Sequence, residues 1–150
     1  MTDKPRKKVM AKPIVRNIIQ SFSEPLLHKI ATKLVADDSM FIPQYQKDSV
    51  SVNLIANIPE GKIQIPHRGT AVIDCGISLE LTPGYKAVIS VTREWAEIGL
   101  ICSTQFITNG RVKVIVNNIG RQVILVQHGV QIAQMIIEPV YLFNWDLGGV

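Results

Sequence analysis

The side chains that could do chemistry are few and scattered. His28, His67 and His128 lie far apart, and none stands at metal-ligand spacing from other ligand types, so no metal site is expected. Cys75 and Cys102 each sit in an apolar run, Val-Ile-Asp-Cys and Leu-Ile-Cys. Both read as buried free thiols rather than as a disulfide framework or a metal pair. Neither a Gly-rich phosphate loop nor a Gly-x-Ser-x-Gly elbow occurs. His67-Arg68-Gly69 is a polar turn able to hold an anion, with a plain exposed loop as the simpler reading.

The elements that must position these residues are mostly strands. Val15, Ile18, Ile19, Phe22, Leu26, Ile30 and Leu34 recur at spacings of three and four, which predicts helix over 14–35. Ser23 is a plausible N-cap and Pro25 suits a first helical turn, so two short helices with a bend near residue 23 are expected. After a connecting segment at 36–48 the pattern changes to short β-branched runs separated by turn signals. Strands are expected at 50–54, 63–65, 70–81, 85–91, 112–116, 123–126, 130–137 and 140–143. Pro83-Gly84, Asn109-Gly110 and His128-Gly129 are the turns between several of them. Many short strands at this spacing imply a sandwich, jelly roll or barrel.

Bulk properties narrow the class. A chain of 150 residues fits one domain with a real core, and its composition is 47% apolar but only 6% aromatic. The net charge of +4 is local, because residues 1–12 hold five basic side chains and one acid. The body is neutral, so the charge describes a solvated tail, with nucleic acid as its less favoured partner. With no apolar run of membrane-spanning length and no signal-like start, the expected location is cytoplasmic, without membrane contact. Free thiols fit a reducing compartment.

The order of features over residues 49–141 resembles the dUTPase / dCTP deaminase superfamily. The carriers are Gly69-Thr70-Ala71-Val72-Ile73-Asp74-Cys75-Gly76-Ile77, then Pro83-Gly84, then a strand running into Arg93. Gly110 follows, with a strand ending in Asn118-Ile119-Gly120, and last comes Gly129-Val130-Gln131-Ile132-Ala133-Gln134-Met135. This last stretch is similar to the family's Gly-Asp/Glu-Arg-Ile-Ala-Gln-Leu/Met motif. The resemblance implies a mainly β fold, a distorted jelly-roll barrel of the dUTPase-like type with a short N-terminal helical extension. It also implies homotrimers with nucleotide sites between subunits. The expected layout is a basic tail at 1–12, a helical extension at 13–36, the barrel at 49–143 and a short C-terminal tail at 144–150.

Site residues follow from the same resemblance. Arg93, Asn118 and Gln134 match polar positions of the family's motifs and are the expected nucleotide-binding residues. The family's catalytic Asp, in the pattern Val-Ile-Asp-x-Asp-Tyr-x-Gly, falls on Gln105 when counted back from Gly110, or on Thr108 with a gap. The deaminase Glu falls on Ile115, the motif-one Asp on Asn53, and the phosphate-binding Ser on Glu94. Because water needs a positioned base at neutral pH, this alignment assigns no catalytic residue. The leading expectation is therefore a catalytically silent homotrimer that binds a nucleotide or a protein partner and needs no cofactor. One alternative is an active, diverged dUTP diphosphatase or dCTP deaminase using Mg²⁺, with Asp74, Glu94 or Glu97 as an unrecognised base. The other is a structural or assembly protein built on the trimeric barrel.

Overall fold

The computed structural model describes residues 32–149. Its strands are β1 (Thr32–Ala36), β2 (Val52–Ile55), β3 (Lys62–Ile65), β4 (Thr70–Leu81), β5 (Tyr85–Val91), β6 (Leu100–Cys102), β7 (Gln105–Ile107), β8 (Asn109–Asn118), β9 (Ile124–Gln127) and β10 (Gln131–Pro139). One short helix, α1 (Arg93–Glu97), follows β5. Two four-stranded sheets, ordered β1-β4-β8-β6 and β2-β10-β5-β7, and a β3-β9 ribbon make a mainly β, jelly-roll-like fold. All named strand pairs are antiparallel.

Alternation explains the core. In β8, Val112, Val114 and Val116 are fully buried, and Lys113 and Ile115 between them face outward. In β4 the inward set is Ile73, Cys75, Ile77, Leu79 and Leu81. The β4–β8 register shifts between Asp74 and Ser78, so that residues 75–77 of β4 face Val112 alone. The excess is two residues, which keeps the period-2 parity and leaves the same β4 face inward on both sides of the bulge. Gly76 makes the bulge possible. It holds φ +70°, and a Cβ there would lie 2.3 Å from the Phe41 ring. Phe41, from a 3-10 turn at Ser39–Phe41, is thus packed where a side chain would have been.

Arg111 fastens the bulge. Its Nε donates to Asp74 Oδ2 at 2.9 Å and its Nη1 to Asp37 Oδ1 at 2.8 Å. Its Nη2 reaches both carboxylates. The hydrogen bonds from Arg111 hold the Asp37 carboxyl below its ordinary range, and those carboxylates raise the guanidinium's own pKa.

Several expectations need correction. Thr32–Ala36 is a strand paired with β4, not the end of a helix. Its exposure alternates residue by residue, and edge pairing overrides the weak three-and-four spacing that had included Leu34. The rest of the predicted helical extension and the 1–12 tail lie outside the described residues. Helix α1 and the short strands β6 and β7 were not expected. Residues 140–143 form no strand, because β10 ends at Pro139, which lacks the N–H a ladder needs. Cys75 is buried as expected, whereas Cys102, at the end of β6, is only half-buried.

Candidate active site

Strand register lines up a row of polar side chains. Gln134 of β10 pairs with Asn53 of β2 on one side and Ser90 of β5 on the other. Its amide is held at both ends: Ser51 Oγ donates to Oε1 at 3.3 Å, and Nε2 donates to Ser90 Oγ at 3.3 Å. Asn53 Oδ1 accepts from the Gln44 backbone N–H. Directly after β5 the chain enters α1, whose first residue is Arg93. Trp95 Nε1 donates to the Gln131 carbonyl at 2.7 Å, which locks α1 onto the start of β10. The structure thus brings Asn53 and Gln134 together in one sheet, with Arg93 on the helix that follows the neighbouring strand β5. Ser51 and Ser90 belong to the same row and were not foreseen. Ser90 carried a signal in the outward phase of β5, whereas Ser51, 3% exposed just before β2, carried none.

Arg93 is exposed and its Nε donates to Glu97 Oε1 at 2.7 Å. An exposed i,i+4 pair of this kind contributes only about 0.3–0.5 kcal/mol, so Glu97 does not prevent Arg93 from turning to a phosphate. Asp74 has both oxygens engaged, by Arg111 and by the Gly76 N–H. Glu94, exposed in the first turn of α1, has no side-chain partner among the described residues.

Asn118 stands elsewhere, at the end of β8. It is 1% exposed; its Nδ2 donates to the Ile65 and Gln122 carbonyls, each at 2.8 Å, and its Oδ1 accepts from Gly120 N–H at 2.9 Å. Its amide is committed to joining two turns.

The stretch before Gly110, where the catalytic-Asp pattern was counted, changes sheets. β6 pairs with β8, Cys102 opposite Val116, and the chain then crosses so that β7 pairs with β5 in the other sheet. The Gln105 amide takes over the abandoned edge of β8. Its Nε2 donates to Lys113 O at 3.1 Å, and its Oε1 accepts from Ile115 N–H at 3.0 Å. Counting back from Gly110 therefore runs across a change of sheet. Strand β6, Leu100-Ile101-Cys102, follows the Val-Ile-Asp pattern more naturally, with Cys102 in the third place. A groove of about 430 Å³ is lined by Thr32, Lys33 and Glu80 to Pro83, none of which belongs to the polar row.

With this geometry in view, comparison with known proteins is decisive. Residues 60–146 match the dUTPase family model. The chain belongs to the dUTPase family. Relatives named deoxyuridine 5'-triphosphate nucleotidohydrolase include that of Roseobacter denitrificans, 29% identical over 75% of this chain and 78% of its own length. That of Caldanaerobacter subterraneus is 31% identical over 66% of this chain and 71% of its own length. Among solved structures, a dUTPase from phage phi11 of S. aureus, described with a structural Mg(II) ion, superposes with a TM-score of 0.69 at 11% identity. It matches 80% of this chain and 97% of its own. EIAV dUTPase gives a TM-score of 0.65 at 21% identity, over 80% of this chain and all of its own. At these identities the structural likenesses establish the fold.

The curated relatives overturn the expectation of a catalytically silent chain. Several nucleotidohydrolases align with 26–31% identity over most of their length, which favours an active member of the family. The expectation rested on the absence of an acid at Gln105, Thr108 and Ile115, and it is the kinship with nucleotidohydrolases, not a recovered acid, that overturns it.

Proposed function

We propose that this chain is an active, diverged dUTP nucleotidohydrolase, releasing diphosphate from a deoxynucleoside triphosphate. The observation that carries the reading is its match to nucleotidohydrolases over three quarters of its length. The polar row beside Arg93 supports it. In the proposed reaction a water oxygen bonds to the α-phosphorus, the α–β bridging P–O bond breaks, and the water's proton passes to a base. Arg93 holds phosphate oxygens with its planar fork, and Gln134, braced by Ser51 and Ser90, offers its remaining N–H. Glu94 serves as the base. Helix α1 packs beside β6, so Glu94 is carried on an element that adjoins Leu100–Cys102.

No three His, Cys, Asp or Glu side chains come together among the described residues. With so few protein donors, a magnesium ion would be brought by the triphosphate, and a side-chain oxygen of Asn53 would be the protein's contribution. Bound there, the ion would neutralise phosphate charge. It would also relieve the repulsion Glu94 otherwise exerts.

The proposed assembly is a homotrimer in the cytoplasm. The Val130–Ile137 run supplies little surplus apolar surface, because Ile132, Ala133 and Met135 are consumed in the core. The surplus lies on the outer face of the first sheet, at Val72, Ile101 and Ile115, and in the more exposed Tyr141, Leu142, Phe143, Trp145 and Leu147, which are 78–90% exposed. Light scattering giving a monomer at micromolar concentration would refute the trimer.

The functional test is diphosphate release from dUTP with Mg²⁺, beside ammonia release from dCTP. Glu94→Gln should lower kcat about 10²-fold or more, the usual range for a general base, and Arg93→Ala should mainly raise KM. Undiminished turnover in Glu94→Gln would remove Glu94 from the mechanism. Absence of any diphosphate release by the wild-type chain would remove the proposal.

A further inference from the structure

The β3–β4 turn at 66–69 and the β8–β9 turn at 119–123 are riveted into a single tip. Arg68 N–H donates to Asn118 O at 2.8 Å, and Asn118 N–H donates to Gly69 O at 3.0 Å. The buried Asn118 amide ties the Ile65, Gly120 and Gln122 backbones together. His67 donates from Nδ1 to the Gly120 carbonyl, leaving Nε2 without a partner among the described residues. The tip is thus a rigid mount whose exposed side chains include His67, Arg68, Arg121 and Gln122.

Two independent observations mark it. The first is charge without compensation. The two turns contain two arginines and no acid. Neither guanidinium has an ion pair or hydrogen bond among the described residues. The second is strain. Arg68 holds φ +62°, a left-handed conformation that disfavours a long L side chain and that Gly, Asn or Asp ordinarily occupies. Its neighbour Gly69 has no freedom to exchange roles, since a Cβ there would lie 2.8 Å from Pro66. A long cation kept at a position suited to glycine points to work for that cation.

We propose that this tip is a nucleic-acid contact that takes a phosphodiester backbone on Arg68 and Arg121. Guanidinium suits phosphate oxygens in both charge and geometry. The flanking exposed side chains, Ile98, Ile119 and Val123, are aliphatic. They offer no stacking platform, so the contact reads the backbone and not the bases. Binding is therefore weak, salt-dependent and indifferent to sequence. It is independent of whether the chain hydrolyses dUTP.

The test is fluorescence anisotropy of the full chain with a labelled oligothymidylate across a salt series. Each phosphate contact on a single strand contributes a slope of about 0.7 in log affinity against log salt. Arg68→Gln/Arg121→Gln should weaken low-salt binding severalfold and flatten that slope by about 1.4. Unchanged affinity and slope would place any binding on the basic N-terminal residues and overturn the proposal, as would absence of binding by the wild-type chain. Displacement of the oligonucleotide by micromolar inorganic diphosphate would mean the tip takes a free phosphate chain, which also overturns it. Arg68→Gly separates function from folding. It relieves the strained φ, so the melting temperature should hold or rise while binding falls. A lower melting temperature would make Arg68 a structural residue.

Discussion

Replacing Asn118 by alanine tests how the end of the fold is held together. The side chain is 1% exposed and makes three hydrogen bonds, two donated and one accepted. A net loss of about 1 kcal/mol per bond is usual, and a buried group left without its partner costs roughly 1–3 kcal/mol more. Here the buried group that loses a donor is the Ile65 carbonyl, in a residue 1% exposed. The expected loss is about 4 kcal/mol, a large part of the whole stability of a domain this size. Urea unfolding should show the midpoint falling with an unchanged m-value, and the melting temperature should fall by about 12 °C or more. Asn118→Asp should be at least as damaging, because a carboxylate would face the Ile65 and Gln122 carbonyls with no hydrogen to donate. A loss under about 1 kcal/mol would show that the two turns hold without this rivet. It would also restore Asn118 as a side chain free to meet a nucleotide.

Three further outcomes are expected. Arg111 keeps Asp37 ionised below the ordinary value of 3.8, so the pair's contribution is complete above that value and disappears as pH falls through the lowered one. The stability gap between wild type and Arg111→Met should therefore narrow below about pH 4, and a gap independent of pH would refute this. Burial pushes the Cys75 thiol up to about 12, with Asp74 adding to the shift. Iodoacetamide at mildly alkaline pH should thus label half-buried Cys102 well before Cys75, and equal rates would mean the β4 core opens readily. Deleting residues 1–12, a segment with like charges and no apolar period, should leave the melting temperature unchanged. A large drop would show that the segment packs.

The sequence by itself determined the family, the mainly β class and most strands after residue 50. These depend on local signals: period-2 alternation, turn dipeptides and the order of motifs along the chain. It also singled out Arg93 and Gln134 as polar positions worth following. What it could not determine were relationships across the chain. Thr32–Ala36 has no apolar/polar alternation to declare a strand, and it becomes one because β4 offers a free edge. Asn118 and Gln134 look alike as polar residues in strands. Only the packing shows that one is walled in by carbonyls while the other lies in an open row with Asn53 and Ser90. Asp37, Asp74 and Arg111 are distant in sequence, and a bulge at Gly76 makes them neighbours. The 102–110 region could not be read by counting, since the chain there passes from one sheet to the other. Local periodicity records which face a residue presents to its own strand. Which strand lies beside it is set by closure of the whole fold, and the site depends on that closure.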